Sequence, residues 1–369
     1  MVNLLHNVPS YLLDFFLFNI IVINIGMFLV FIYNIPVIIN SEKNNRIRNI
    51  FSEILSEIIL LENYENTEKI KILKKLKVQK NRRIRTIFIK VLKEYTIFLK
   101  GTEFVTLTDV YKSLGLHVKD IKDLDSIFTR RVLGALDRLN RFKIIVNRTK
   151  IKKLQKHKNS DIRELANAYT LNIYDSDDIY EFFDFTTEAF TPWQQLEYFQ
   201  LITNRPLAPK ADFGKWINPK YENSIIGLSL DLVAYYHQET AIESIHSMIK
   251  IVHTKMRRKM IRTLGILNQK QSIDVLMDQY LEEDDMKCKK EIVKSLGYMG
   301  YKNEKVIHFL GELLKTEFHT NSRKAILIAL SRATGSESIL ENKIYRYELE
   351  KTVPDEQKIL EWKKFYTQH

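Results

Sequence analysis

Apolar residues recur at steps of three and four along most of this chain, which is the spacing of helices with one buried face. From residue 130 onward the pattern itself repeats: a polar or basic start is followed by an apolar residue and, four positions later, by Leu or Ala. Clear copies begin at Arg130, Ser160, Arg258, Lys290 and Arg323, and weaker ones begin at Pro192 and Asn223. Second apolar helices are predicted over 272–281 and 305–314.

The length of the repeat follows from the equivalent apolar positions in the clear copies. These positions are Val132, Ile162, Met260, Ile292 and Ile326, which lie 30, 98, 32 and 34 residues apart. The long step contains the two weaker copies. Two helices every 30 to 35 residues, each pair packed on its neighbours, predict an all-α solenoid over 126–350, with 351–369 as a C-terminal tail or cap.

The first forty residues have a different pattern. The chain is almost continuously apolar from Tyr11 to Ile39, and its 19 residues from Phe15 to Tyr33 carry no charge. At about 1.5 Å per residue this predicts one N-terminal transmembrane helix within 1–40. A cleaved signal peptide is the alternative, but no basic segment precedes the apolar run and no Ala-x-Ala follows it.

The charges that follow this run predict an orientation. Lys43, Arg46 and Arg48 come directly after it, whereas no Lys or Arg precedes it. Because basic residues stay on the cytoplasmic side, we expect a single-pass protein of the inner (plasma) membrane. Its N-terminus would lie outside and its solenoid in the cytoplasm.

Residues 41–125 are predicted to form a basic helical linker, the collar. Between Lys43 and Lys93 there are 14 basic and 5 acidic residues. Basic residues beside a membrane bind anionic lipid headgroups, although a solvated helix face explains the same charges equally well. The candidate membrane-surface residues are Lys74, Lys75, Lys77, Lys80, Arg82, Arg83 and Arg85.

Composition narrows the classes of function. The formal net charge is +12, and the single Cys excludes a disulfide framework and any Cys-rich metal site. The charge is also segregated: 130–158 holds 11 basic and 1 acidic residue, and 161–197 holds 1 basic and 9 acidic residues. Such blocks predict charged patches that bind a partner protein. The alternative partner for the basic block is nucleic acid, although no base-reading motif is present.

A second candidate binding element is the loop over 205–223, which has three prolines and four basic residues and interrupts the repeat pattern. Long loops on rigid scaffolds often bind ligands, but a shortened repeat helix would look the same. The candidate partner-binding residues of the block and the loop are Arg130, Arg131, Arg138, Arg141, Phe213 and Trp216.

Catalytic and cofactor motifs are absent from the sequence. His237, His246 and His253 lie 9 and 7 residues apart without a carboxylate-rich metal box, and Cys288 has no His nearby in sequence. Neither of the glycine-rich phosphate-binding motifs occurs. We therefore predict a non-enzymatic protein without a metal or cofactor.

The repeats also resemble a known family. The small-residue-rich first helices and the Asp161-x-Arg163 start are similar to HEAT repeats, and YKSLGLHVKDIKDL from Tyr111 to Leu124 resembles bacterial membrane-anchored HEAT-repeat domain proteins. This resemblance implies a membrane-anchored scaffold or adaptor whose cytoplasmic HEAT-like solenoid binds or regulates a membrane partner. It also suggests a glycosyltransferase of polysaccharide synthesis as that partner. A membrane-tethered, nucleic-acid-binding repeat protein is the alternative.

Overall fold

The computed structural model describes residues 10–60, 66–205, 211–317 and 319–335, and all regular secondary structure within them is helical. The chain divides into two compact units, Met1–Lys150 and Ile151–His369. The predicted solenoid start at residue 126 therefore lies inside the first unit, and the predicted tail, 351–369, lies outside the described residues.

Unit 1 contains six helices that the structure describes completely within it. They are α1 Ser10–Leu60, α2 Asn66–Lys75, α3 Arg82–Phe98, α4 Gly101–Ser113, α5 Leu116–Asp123 and α6 Thr129–Arg141. The boundary between the units falls inside α7, Arg148–Gln155.

The core of unit 1 begins in the second half of α1. Phe51 and Leu55 are buried there, and the Phe51 ring meets Phe88 of α3 edge to face, with 5.0 Å between ring centroids. The Ser56 hydroxyl also lies 2.8 Å from the Tyr95 hydroxyl of α3. The apolar face of α3 therefore holds α1 by ring contacts together with a polar contact at its edge.

The first half of α1 corrects the predicted anchor. Among the described residues, no helix is long and apolar enough to cross a membrane. The fold class is thus an all-helical repeat fold without the transmembrane helix. The predicted single-pass inner-membrane localisation, which depended on that helix, is corrected with it.

Unit 2 contains the repeated helix pairs. Its helices are α8 Ser160–Ile173, α9 Phe182–Phe185, α10 Pro192–Thr203, α11 Asn223–Tyr236, α12 Ile242–Met248, α13 Thr254–Leu267, α14 Ser272–Glu282, α15 Met286–Met299, α16 Glu304–Thr316 and α17 Thr320–Thr334. Short 3₁₀ helices cover Asp177–Tyr180, Phe213–Trp216 and Glu239–Ala241. The predicted helices at 258–267, 272–281, 290–299, 305–314 and 323–332 all lie within this set, and helices also begin at Pro192 and Asn223, where the weaker copies were predicted to open.

The helices of unit 2 form two kinds, which we name by their packing. The A helices α11, α13, α15 and α17 stack on one another in chain order, and the B helices α12, α14 and α16 connect them. Small residues permit this close stacking. A Cβ added to Gly265 would lie 2.4 Å from the Ser295 hydroxyl, and one added to Gly297 would lie 2.7 Å from Ala329 Cα. The small residues in the repeat pattern therefore lie where the backbones of successive A helices come closest together.

Candidate interaction surface

The basic block of 130–158 contains one buried charge network. Arg138 donates from Nε and from an Nη to the two carboxylate oxygens of Asp120, at 2.8 and 2.6 Å, and the Tyr111 hydroxyl donates to the same carboxylate. Burial lowers the pKa of Arg138, but the hydrogen bonds to Asp120 outweigh it and leave the pKa raised. For the Tyr111 hydroxyl, burial acts in the other direction and raises the pKa. Arg138 is therefore part of the core of unit 1 and is not free to contact a partner.

Arg141 is also held by its own unit. Its guanidinium lies 3.7 Å from the Asp137 carboxylate and 3.5 Å from the Thr96 hydroxyl, and Asp137 is also paired with Lys93. This cluster is half-buried rather than buried, so the pairs are partly screened by water. Its position indicates that Arg141 links α6 to α3.

Arg130 and Arg131 differ from these two because both are exposed. The Arg131 guanidinium lies 5.1 Å from the centroid of the Phe128 ring. Phe128 and the adjacent Ile127 are themselves exposed. A cation beside exposed apolar side chains is typical of protein interfaces, and partner binding by Arg130 and Arg131 stays a prediction.

The candidate residues of the 205–223 loop are in the core, which corrects the expectation that they are exposed. Phe213 and Trp216 are fully buried, and the Trp216 indole N–H donates to Asp184 at 2.8 Å. The Phe213 backbone N–H donates to the Gln238 side chain at 2.8 Å. These aromatic side chains fill unit 2 and do not form an exposed binding loop. Residues 206–210 lie outside the described residues.

The collar residues lie at the end of α2, in the turn after it and at the start of α3. Lys74, Lys75, Lys77, Lys80, Arg82 and Arg83 are exposed, and Arg85 is half-buried. Arg83 donates from Nε to Asn44 at 3.0 Å, and Arg85 donates to the Gln79 carbonyl at 3.0 Å. Their binding to lipid headgroups stays a prediction.

A larger basic surface lies on α13, α15 and α17, and it was not predicted. Arg258, Lys290 and Lys324 occupy equivalent positions, 32 and 34 residues apart, and none of the three is buried. Arg262 and Lys294 lie one turn further along their helices. We call the solvent-facing side of these three helices the A face. Because the helices stack in order, the A face presents rows of bases that run across the helices.

The charge of this layer is one-sided. Together α13, α15 and α17 hold 12 Lys and Arg residues and 1 acidic residue. The B helices α12, α14 and α16 hold 2 Lys residues and 6 acidic residues. Taken together, the three A helices α13, α15 and α17 are therefore basic and the three B helices are acidic, although α16 alone is neutral.

Acidic groups neutralise only part of the A face. Arg258 and Arg262 both approach the buried Glu291 carboxylate, at 3.3 and 3.5 Å, and each keeps half or more of its side chain exposed. Glu283, which is buried at the edge, pairs with Arg257 at 2.7 Å, and Asp285 caps α15. Within the described part of the chain, the side chains of Lys255, Lys290 and Lys324 have no ion-pair partner.

The placement of these bases is opposite to what helix stability favours. The N-terminal turn of a helix carries partial positive charge and prefers Asp or Glu. The first turns of α13, α15 and α17 have no acidic residue, whereas those of α12, α14 and α16 each have one. The bases in these first turns therefore do not stabilise their own helices through the helix dipole.

Unit 2 also has a cleft of about 400 Å³ lined by α8, α10 and the segment 185–190. Asn167 is buried at this cleft, and its Oδ1 has no hydrogen-bond partner in the described structure. Arg163 and Glu188, which are paired, line it as well. Burial raises the pKa of Tyr198, and a hydrogen bond with Asn167 opposes the shift. The cleft is thus polar and of mixed charge.

The candidate catalytic groups are accounted for by packing. Cys288 is buried, its thiol lies 3.5 Å from the Thr254 carbonyl, and burial raises its pKa to about 11. His246 lies 3.0 Å from the Ser272 hydroxyl, and burial lowers its pKa. Among the described residues, no group of three or more His, Cys, Asp or Glu is placed to hold a metal ion.

Comparisons with known proteins show no family for this chain. No family model matches the chain, and the comparison with curated proteins gives no match. Among solved structures, it is similar to a designed armadillo repeat protein in complex with the peptide (KR)4, with a TM-score of 0.33 and 12% identity over 58% of this chain and 98% of that chain. The stacked helix pairs of unit 2 define the class, a helical repeat protein. Membership of the bacterial membrane-anchored HEAT family is not shown.

Proposed function

We propose that this protein is a non-enzymatic helical repeat scaffold that binds a partner protein through the A face of unit 2. The observation that carries the proposal is the 12 to 1 excess of bases on α13, α15 and α17. A surface with charge of one sign is suited to a partner of opposite charge.

A protein fits the A face better than nucleic acid does. The sequence has no base-reading motif. The exposed side chains of Ile266 and Tyr298 also lie at the C-terminal ends of the same helices. Apolar and aromatic side chains beside bases are typical of protein interfaces.

Photocrosslinking from the A face in intact cells tests the proposal. A photoreactive benzoylphenylalanine replaces Lys290 in the full-length chain, and the same residue replaces Lys270 in a control. Lys270 is exposed in the turn between α13 and α14 and, among the described residues, its side chain has no ion pair. We expect a discrete protein adduct from position 290 and none from position 270.

Three results would contradict the proposal. These are no protein adduct at position 290, equal adducts at both positions, and a nucleic-acid adduct at position 290, which would favour the alternative function. The glycosyltransferase that the family resemblance suggests as a partner stays a prediction, and the identity of the adduct would test it directly.

A further inference from the structure

The spacing of the bases across the A face restricts what the partner presents to it. Arg258, Lys290 and Lys324 are equivalent residues of three helices that stack directly on one another. Packed helices lie about 8 to 10 Å apart, so each step of this row is about that long. The row therefore offers three bases at nearly regular intervals, about 20 Å from first to last.

An extended polypeptide matches this interval at a simple spacing. In the extended polyproline II conformation it advances about 3.1 Å per residue with three residues per turn, so every third side chain lies on the same face, about 9 Å from the last. From this we infer that the A face binds an extended acidic segment of its partner, with a carboxylate at every third residue and one carboxylate for each of α13, α15 and α17. The inference rests on the proposed function and names the chemistry of the partner.

The neighbouring row is consistent with a single bound segment. Arg262 and Lys294 lie one turn beyond Arg258 and Lys290, but the equivalent residue of α17 is Ile328. One end of the second row is therefore apolar, and of these two rows the first carries a base on all three helices. Glu291 lies between the rows on α15, and its pairs with Arg258 and Arg262 hold both arginines at the surface.

The row also differs from a general cation patch. The packing of α13, α15 and α17 fixes the backbone positions of the three basic residues. Gly265 contacts Ser295 and Gly297 contacts Ala329, with no room for a Cβ at either glycine. Lysine side chains are flexible, so the spacing is expected to modulate the affinity by severalfold and not to be absolute. That size of effect is measurable.

Two peptides of equal composition test the inference on the full-length chain. Each has twelve residues with four Glu among Gly, Ser and Ala. In the spaced peptide the Glu residues occupy every third position, and in the clustered peptide they are consecutive. We expect the spaced peptide to bind at least about fivefold tighter in fluorescence anisotropy, since each further exposed ion pair contributes up to roughly that factor. Binding of both should weaken as salt rises from about 50 to about 300 mM.

Two variants assign the effect to the row. Lys324→Glu should weaken the spaced peptide at least about fivefold, whereas Lys270→Glu, with the same change in charge, should alter it by less than about twofold. Circular dichroism confirms that both variants fold. Equal affinity for the two peptides, or equal effects of the two variants, would overturn the inference, as would tighter binding of a twelve-nucleotide single-stranded RNA that Lys324→Glu abolishes.

The peptide also separates this inference from the proposed function. Added during photocrosslinking in a lysate, the spaced peptide should suppress the protein adduct at position 290, and the clustered peptide should suppress it less. An adduct that neither peptide suppresses overturns the acidic segment and leaves the scaffold function in place. The absence of any adduct overturns the scaffold function itself.

Discussion

The two units use their basic residues in opposite ways. In unit 1, Arg138 of α6 is largely buried, and its Nε and one Nη donate to the two carboxylate oxygens of Asp120. Arg141 is paired with Asp137. In unit 2, Lys290 and Lys324 lie on the A face without an ion-pair partner among the described residues. A cluster of bases in sequence can therefore be part of a core, whereas bases a whole repeat apart can form a surface.

The units also differ in what holds their helices together. Unit 1 joins helices through rings and charges, such as the Tyr111 ring stacked on Phe142 at 4.4 Å and the carboxylate of Asp120 that it shares with Arg138. The A helices of unit 2 approach through Gly265 and Gly297, where backbone meets backbone. Breaking the ion network should therefore damage the first unit, and adding volume should damage the second.

The largest effect is expected from Asp120→Asn, which keeps the shape of the side chain and removes its charge. Arg138 would remain buried beside a neutral amide, and removing one partner of a buried pair costs roughly 3 kcal/mol or more of unfolding free energy. Urea unfolding followed by circular dichroism measures the loss. Asp125→Asn is the control, because the Asp125 pair with Lys150 is largely exposed and should cost less than about 1 kcal/mol. Equal losses would show that unit 1 does not depend on its buried network.

A smaller effect is expected from Gly297→Ala in α15. The new methyl group would lie 2.7 Å from the Ala329 backbone, so α15 and α17 must move apart, which costs about 1 to 3 kcal/mol. Gly311→Ala in α16 is the matched control, since nothing lies within 4 Å of its added Cβ and an alanine should stabilise that helix by about 0.5 to 1 kcal/mol. Two changes of opposite sign in thermal unfolding would support stacking by backbone contact. A stabilising Gly297→Ala would refute it.

Removing a base from the A face should leave stability almost unchanged. Lys290→Ala removes a side chain that has no ion pair in the described structure and lies in a positively charged layer. The expected change in unfolding free energy is within about 0.5 kcal/mol, in either direction. Chemical denaturation measures it together with peptide binding. A loss above about 1 kcal/mol would mean that the A face, like the α6 cluster, is structural.

Much of unit 2 was predictable from the sequence, and the reason is its repetition. The apolar positions at Met260, Ile292 and Ile326 mark helices that begin and end close to where the pattern places them, because each repeat must bury the same face. The prediction that Phe213 and Trp216 lie exposed in the 205–223 loop was wrong, because the sequence alone does not show whether an aromatic side chain in a loop points into the core. Both are buried, with Trp216 bonded to Asp184, which is 32 residues away.

The A face was missed for a different reason. Charge counted over consecutive residues finds blocks such as 130–158, but bases on α13 and acids on α14 cancel within one repeat. Counting by equivalent position would have found Arg258, Lys290 and Lys324, since the repeat steps were already known from the apolar residues. The pairing of Arg138 with Asp120, in contrast, depends on side-chain packing between α5 and α6 and has no signal in sequence spacing.

The smallest effect is expected at the half-buried Glu197 of α10 in unit 2. Burial, together with the nearby Glu164, raises the pKa of Glu197 above its usual value. A carboxyl whose folded pKa is raised contributes stability below its unfolded pKa, and that contribution is lost as the pH rises through the folded pKa. Glu197→Gln should therefore raise the Tm at pH 7 and have little effect near pH 4. Asp278→Asn, at an exposed position of α14, should leave the Tm unchanged at both pH values. A Glu197→Gln variant that lowers the Tm at pH 7 would mean that the folded unit depends on the ionised carboxylate, as unit 1 depends on Asp120.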